Sequence, residues 1–102
     1  MEQPDAIIHQ PLRLKIMAAL KALPRGERLE FVRLKALLNA TEGNLGAHLG
    51  TLENAGYIRI EKDFNGKKPR TRVNLTPDGI RAYRDYVGYL RAIIDAAEEG
   101  TP

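Results

Sequence analysis

The sequence predicts an α+β domain, mainly α with a small β-hairpin, and three observations carry that prediction. Apolar residues recur at spacings of three and four in four separate stretches. One segment, Tyr57 to Thr76, combines β-formers with the turn residues Asn65-Gly66. Helix-boundary residues (Thr41, Thr76-Pro77 and Pro24-Arg25-Gly26) fall between these stretches.

The first helix is expected from about Ile7 to Leu23, with Leu12, Ile16, Ala19, Leu20 and Leu23 on its apolar stripe. Pro24-Arg25-Gly26 stops it. Leu29-Glu30-Phe31 reads as a short strand leading into a second helix, about Val32 to Leu38, that buries Leu34, Leu37 and Leu38. Asn39-Ala40-Thr41 is a turn, and Thr41 is placed to cap a third helix ending at Ala55-Gly56. Leu45, Leu49 and Leu52 form the buried stripe of that helix. Tyr57-Ile58-Arg59-Ile60 opens a strand, Phe64-Asn65-Gly66-Lys67-Lys68-Pro69 supplies turn chemistry with Asn65-Gly66 as its strongest signal, and Arg70 to Thr76 returns with Val73 and Leu75 inward. The last helix starts with Thr76 as cap, Pro77 at the first helical position and Asp78 against the helix dipole. Helix, short strand, helix, turn, helix, two-stranded wing and helix is the order of a winged helix-turn-helix.

A chain of 102 residues with 43% hydrophobic content fits one folded domain, taken as residues 1–102. Met1 to Asp5 and Glu98 to Pro102 read as loose ends. No stretch has the apolar length of a membrane helix and no secretory signal is visible, so a cytoplasmic location is expected. With no cysteine and two histidines, neither a disulfide nor a metal site is expected, and no cofactor is implied. The net charge of +3 is unevenly placed. Between Tyr57 and Thr76, Arg59, Lys62, Lys67, Lys68, Arg70 and Arg72 face only Glu61 and Asp63, a net +4 that leaves the rest of the chain at −1. One basic hairpin on a near-neutral domain favours a polyanionic partner.

Three ordered motifs carry a family resemblance. Gly43-Asn44-Leu45-Gly46-Ala47-His48-Leu49, continuing through Leu52-Glu53-Asn54-Ala55-Gly56-Tyr57-Ile58, resembles the recognition helix of small MarR- and ArsR-like transcriptional regulators. Lys62-Asp63-Phe64-Asn65-Gly66-Lys67-Lys68-Pro69-Arg70-Thr71 and Leu75-Thr76-Pro77-Asp78-Gly79 match the wing and last-helix patterns, and His9-Gln10-Pro11-Leu12-Arg13-Leu14 extends the likeness to the first helix. The resemblance covers about nine-tenths of the chain. It implies a homodimeric, sequence-specific binder of double-stranded DNA that represses or activates transcription. Gly46 departs from it, since the family usually has serine there.

With Leu45 inward and about 100° per residue, Gly43, Ala47, Gly50, Thr51 and Asn54 point away from the core. The N-terminal half of such a helix meets base edges. Thr41, Asn44, Ala47, His48 and Thr51 are therefore the candidate DNA residues of the helix: Asn44 for adenine, Ala47 for a thymine methyl, Thr51 for a phosphate. His48 is equally suited to packing at the domain edge. Gly43, Gly46 and Gly50 make a bare stripe that would admit either DNA or the preceding helix unusually closely. From the hairpin, Lys67, Lys68, Arg70 and Arg72 are expected on phosphates because they lack a nearby counter-charge, with Arg70 as the minor-groove candidate.

The last helix, about 77–98, carries more apolar surface than a small core needs. Tyr83, Tyr86, Val87, Leu90, Ile93 and Ile94 are the expected dimer interface. Tyr83, Tyr86 and Tyr89 leave a small-molecule effector conceivable, but no motif supports one. No paired carboxylates, nucleophile–histidine–acid set or phosphate loop points to an enzyme. The competing reading is a winged-helix protein-interaction module. That reading expects an apolar or acidic recognition face, where this one is small and polar.

Overall fold

The computed structural model describes residues 4–100. It contains α1 (Pro11–Lys21), β1 (Leu29–Glu30), α2 (Phe31–Leu38), α3 (Glu42–Asn54), β2 (Ile58–Asn65), β3 (Lys68–Leu75) and α4 (Pro77–Glu99). The strands form one antiparallel sheet in the order β1-β3-β2. The expected element order holds throughout.

α1 begins four residues later than the apolar spacing suggested. The Asp5 carboxylate accepts from the N–H groups of Ile7 and Ile8, at 2.8 and 3.3 Å, and so closes a separate turn. Pro11 then forces Gln10 into an extended conformation, φ −149° and ψ 129°, from which its side chain caps α1. Asp5 is thus no loose end. Its carboxylate also accepts from the Tyr57 hydroxyl at 2.5 Å, tying the start of the chain to β2. Met1 to Gln3 and Thr101 to Pro102 lie outside the described residues.

The core lies where α1 crosses α2, α3 and α4 above the sheet. Ile8, Ile16, Met17, Leu20, Leu29, Leu34, Leu45, Leu49, Leu52, Ile58, Val73 and Tyr86 are buried in it. α2 buries only Leu34 fully; Leu38 is half-buried and Leu37, expected inside, is 60% exposed. A helix of 8 residues, covered on one side only, buries a stripe narrower than its apolar content. Asn39 takes the left-handed conformation, φ 50°, and turns the chain from α2 into α3.

The junction of β2 and α4 is the tightest point in the molecule. Thr76 caps α4 by accepting from Gly79 N at 3.0 Å, while its own hydroxyl donates to Gly56 O and its N–H to Tyr57 O. A Cβ on Gly79 would lie 1.9 Å from the Tyr57 carbonyl oxygen. Only glycine allows this approach. α4 then runs 23 residues, about 35 Å at 1.5 Å per residue, and every residue from Arg91 to Gly100 is exposed.

Candidate nucleic-acid interface

α3 presents its polar face to solvent as the leucine stripe requires. Thr41, Asn44 and Ala47 are exposed, and Leu45, Leu49 and Leu52 are buried beneath them. Thr41 Oγ1 accepts from Asn44 N at 3.2 Å, which leaves the hydroxyl proton free for an outside acceptor at the positive end of the helix. Thr51 differs from expectation. Its hydroxyl donates back to Ala47 O at 3.3 Å, so it offers a phosphate no free proton in this geometry.

His48 is half-buried at the edge of the face, with Nδ1 3.1 Å from a guanidinium nitrogen of Arg13. An arginine N–H can only donate, so Nδ1 is the acceptor and the ring proton resides on Nε2. Arg13 is itself held by its Nε–H, which donates to Ile7 O. Of the two roles foreseen for His48, the geometry shows the packing one: Nδ1 is fixed at the domain edge by Arg13. Arg13 is a positioning residue that its sequence context alone did not reveal.

The glycine stripe is resolved. Among the described residues, nothing beyond the adjacent residues and α3's own backbone comes within 4 Å of a Cβ built on Gly43, Gly46 or Gly50. Close packing against the preceding helix is excluded as its cause.

The wing departs most from expectation. Within the expected turn segment the two-residue tip is Gly66-Lys67, because Asn65 pairs with Lys68 and the strands run further into the turn. Gly66 takes φ 65° at the first tip position, the place for glycine in a type II′ turn. This register sets Asp63 opposite Arg70. Arg70 donates to both oxygens of the Asp63 carboxylate, at 2.9 and 3.0 Å, and Arg72 donates to it at 2.8 Å. Hydrogen bonds from Arg70, aided by the charges of both guanidiniums, hold the Asp63 pKa down at about 2. The same bonds raise that of Arg70. Arg70 and Arg72 thus have the counter-charge they were expected to lack, and Arg70 is bound within the ribbon instead of free to enter a groove. Lys67 and Lys68 are exposed, and neither is in an ion pair among the described residues.

On α4, the expected interface residues divide. Tyr86 is buried in its own domain, its hydroxyl 2.7 Å from His9 Nδ1, because the turn at Asp5 lays the chain start across it. Tyr83, Val87 and Leu90 are half-buried, while Ile93 and Ile94 are 46% and 53% exposed. A shallow groove lined by Gly88, Tyr89, Ala92, Ile93 and Ala96 runs along the open side of the helix. A second concavity, between Asp5, Tyr57, Asp78, Asp85, Tyr86 and Tyr89, is acidic. Burial, then the bond to Asp5, raises the Tyr57 pKa to about 12, so its phenol stays protonated and keeps the link to Asp5.

The capped polar helix and the cationic ribbon lie within a segment that a family comparison identifies. Residues 12–94 match the model of a winged helix DNA-binding domain. The chain belongs to that family. An uncharacterised protein of Methanocaldococcus jannaschii is 36% identical to this winged helix chain over 81 residues, covering 79% of it and 85% of the relative. The solved structure of a transcriptional regulator homologue from Pyrococcus horikoshii OT3 is 35% identical, with a TM-score of 0.78, covering 87% of this chain and 85% of that one. A MarR-family regulator structure from Enterococcus faecalis V583 shares the fold, with a TM-score of 0.76 at 22% identity over 92% and 82% of the two chains. The family's description is that of a DNA-binding domain. Among the described residues of this winged helix domain, no helix is long and apolar enough to cross a membrane.

Proposed function

We propose that this winged helix chain regulates transcription as a homodimer that binds double-stranded DNA sequence-specifically. In this reading α3 enters the major groove and the wing follows the backbone. One observation carries it: the same domain exposes a polar α3 face, with open space around its three glycines, and a wing tip whose Lys67 and Lys68 are in no ion pair among the described residues. Asn44, Ala47 and the Nε2–H of His48 then meet base edges. The Thr41 hydroxyl, Lys67 and Lys68 meet phosphates.

The homodimer rests on α4. Ile93 and Ile94 are exposed on a helix that projects beyond the core, and Gly88, Ala92 and Ala96 recur every four residues along the adjoining groove. Small residues at that interval let a second helix approach closely, and burying the isoleucines removes apolar surface from water. Two copies related by a two-fold axis would present two α3 helices to half-sites about 34–36 Å apart.

The test is fluorescence anisotropy against random-sequence duplex DNA, titrated with salt, alongside sedimentation velocity of the free protein. Micromolar binding with a log–log salt slope for several phosphates per dimer is expected. A monomer in solution, or no binding at low salt, would remove the respective half of the reading.

A further inference from the structure

The register of the wing sorts its residues by face. Ile58/Leu75, Ile60/Val73, Lys62/Thr71 and Phe64/Pro69 are paired across the strands and share the face that covers the helical core. Glu61/Arg72 and Asp63/Arg70 lie on the opposite face. On that outer face Arg28 pairs with Glu61 at 2.5 Å, and Arg70 and Arg72 share Asp63, so three of its cations are held within the domain. The inner face has no such pairs among the described residues. Past Val73 and Ile60 the core ends, yet the ribbon continues with Lys62 and then Phe64, which is 68% exposed.

Phe64 has no packing role that explains it. It lies four residues beyond Ile60, about 13 Å along the strand at 3.3 Å per residue, with Pro69 as its cross-strand neighbour. Lys62, Lys67 and Lys68 surround it in sequence, all exposed and none ion-paired among the described residues. An aromatic ring framed by unpaired cations complements a polyanion that has apolar walls, which is what the deoxyriboses of a minor groove provide.

We propose that Phe64, backed by Pro69, is the wing's contact with the minor groove of duplex DNA, acting as an apolar wedge at a base step. Lys62, Lys67 and Lys68 neutralise the flanking phosphates, and Arg70 and Arg72 stiffen the ribbon from behind. The inference rests on the DNA-binding reading and adds a consequence to it. A wedge partly unstacks the step it enters, so the wing favours easily deformed pyrimidine–purine steps over stiff A-tracts.

The experiment compares the wild-type chain, Phe64→Ala, Phe64→Leu and Lys68→Ala by anisotropy on duplexes with a TpA step or an A-tract at the wing position, across a salt series. A 2-aminopurine at the step reports unstacking. Phe64→Ala should lose about tenfold in affinity, equal to about 1.4 kcal/mol, with the salt slope unchanged and the TpA preference and fluorescence rise abolished. Phe64→Leu should keep most of all three. Lys68→Ala should lower the salt slope by about one per site and keep the step preference. An exposed side chain makes misfolding of these variants an avoidable confusion, and matched thermal melts check it. Wild-type binding with Phe64→Ala indistinguishable from it would overturn the wedge and leave the DNA reading intact. A wild-type chain that binds neither duplex would overturn both.

Discussion

Replacing Gly79 with alanine should damage this fold more than its small size suggests. The added Cβ would sit 1.9 Å from the Tyr57 carbonyl oxygen and 2.8 Å from its carbon, both backbone atoms that cannot rotate away. The first turn of α4 must therefore move by more than an ångström. That movement breaks or stretches three bonds: Gly79 N to Thr76 Oγ1 at 3.0 Å, Thr76 Oγ1 to Gly56 O at 2.6 Å, and Thr76 N to Tyr57 O at 3.0 Å. At about 1 kcal/mol net per hydrogen bond the loss is about 3 kcal/mol. Alanine's better helix propensity returns about 1 kcal/mol. The net cost is about 2 kcal/mol, and at about 4–8 °C per kcal/mol in a domain of this size the melting temperature should fall by about 8–16 °C. Circular dichroism melts of the two chains measure it. A melting temperature that stays level or rises would refute the close approach of α4 to β2 and the reasoning built on it.

Gly50→Ala should do the reverse, because among the described residues nothing beyond its neighbours and α3's own backbone lies within 4 Å of the new methyl. About 1 kcal/mol of helix propensity should raise the melting temperature by about 4–8 °C, while DNA affinity falls if the duplex lies against the stripe; unchanged affinity would place the duplex elsewhere. Asp63→Asn should loosen the wing at neutral pH. The Asp63 pKa is lowered on folding, so its contribution is complete above about pH 4 and lost as pH falls through about 2. Melts from pH 6 to 2 should show the wild-type advantage shrinking across that window, and a constant gap would exclude the carboxylate. Arg13→Met frees the His48 ring. On a selected operator it should relax base preference at the same position as His48→Ala, with the double variant no worse than either; additive losses would separate the two residues.

Much of the fold was readable because it rests on local chemistry. Thr41 and Thr76 cap their helices through the side-chain bonds their positions implied, and the Leu45, Leu49 and Leu52 stripe is buried to the last member. The exposure of Thr41, Asn44 and Ala47 follows from the same periodicity, and that of Lys67 and Lys68 from their place in a charged hairpin turn. What escaped depends on residues distant in sequence. Tyr86 belongs to the core only because Asp5 folds the chain start into a turn that brings His9 to it. Arg13 matters only through His48, thirty-five positions away.

The wing shows how one local choice propagates. Had Asn65-Gly66 formed the tip, Asp63 would oppose Lys68 and Glu61 would oppose Arg70, since moving a two-residue turn by one position shifts every cross-strand pair by two. The lysine would then be neutralised and an arginine freed. With Gly66-Lys67 at the tip, the carboxylate receives both planar, two-pronged guanidiniums instead, and the compact lysine charges remain outside. That division suits each side chain: arginine makes the directional bonds that hold a thin ribbon straight, and lysine, a mobile point charge, follows phosphates without demanding geometry. It also explains what net charge alone left open. Six basic residues in the hairpin counted equally in the sequence, but the register decides which of them are paired within the ribbon.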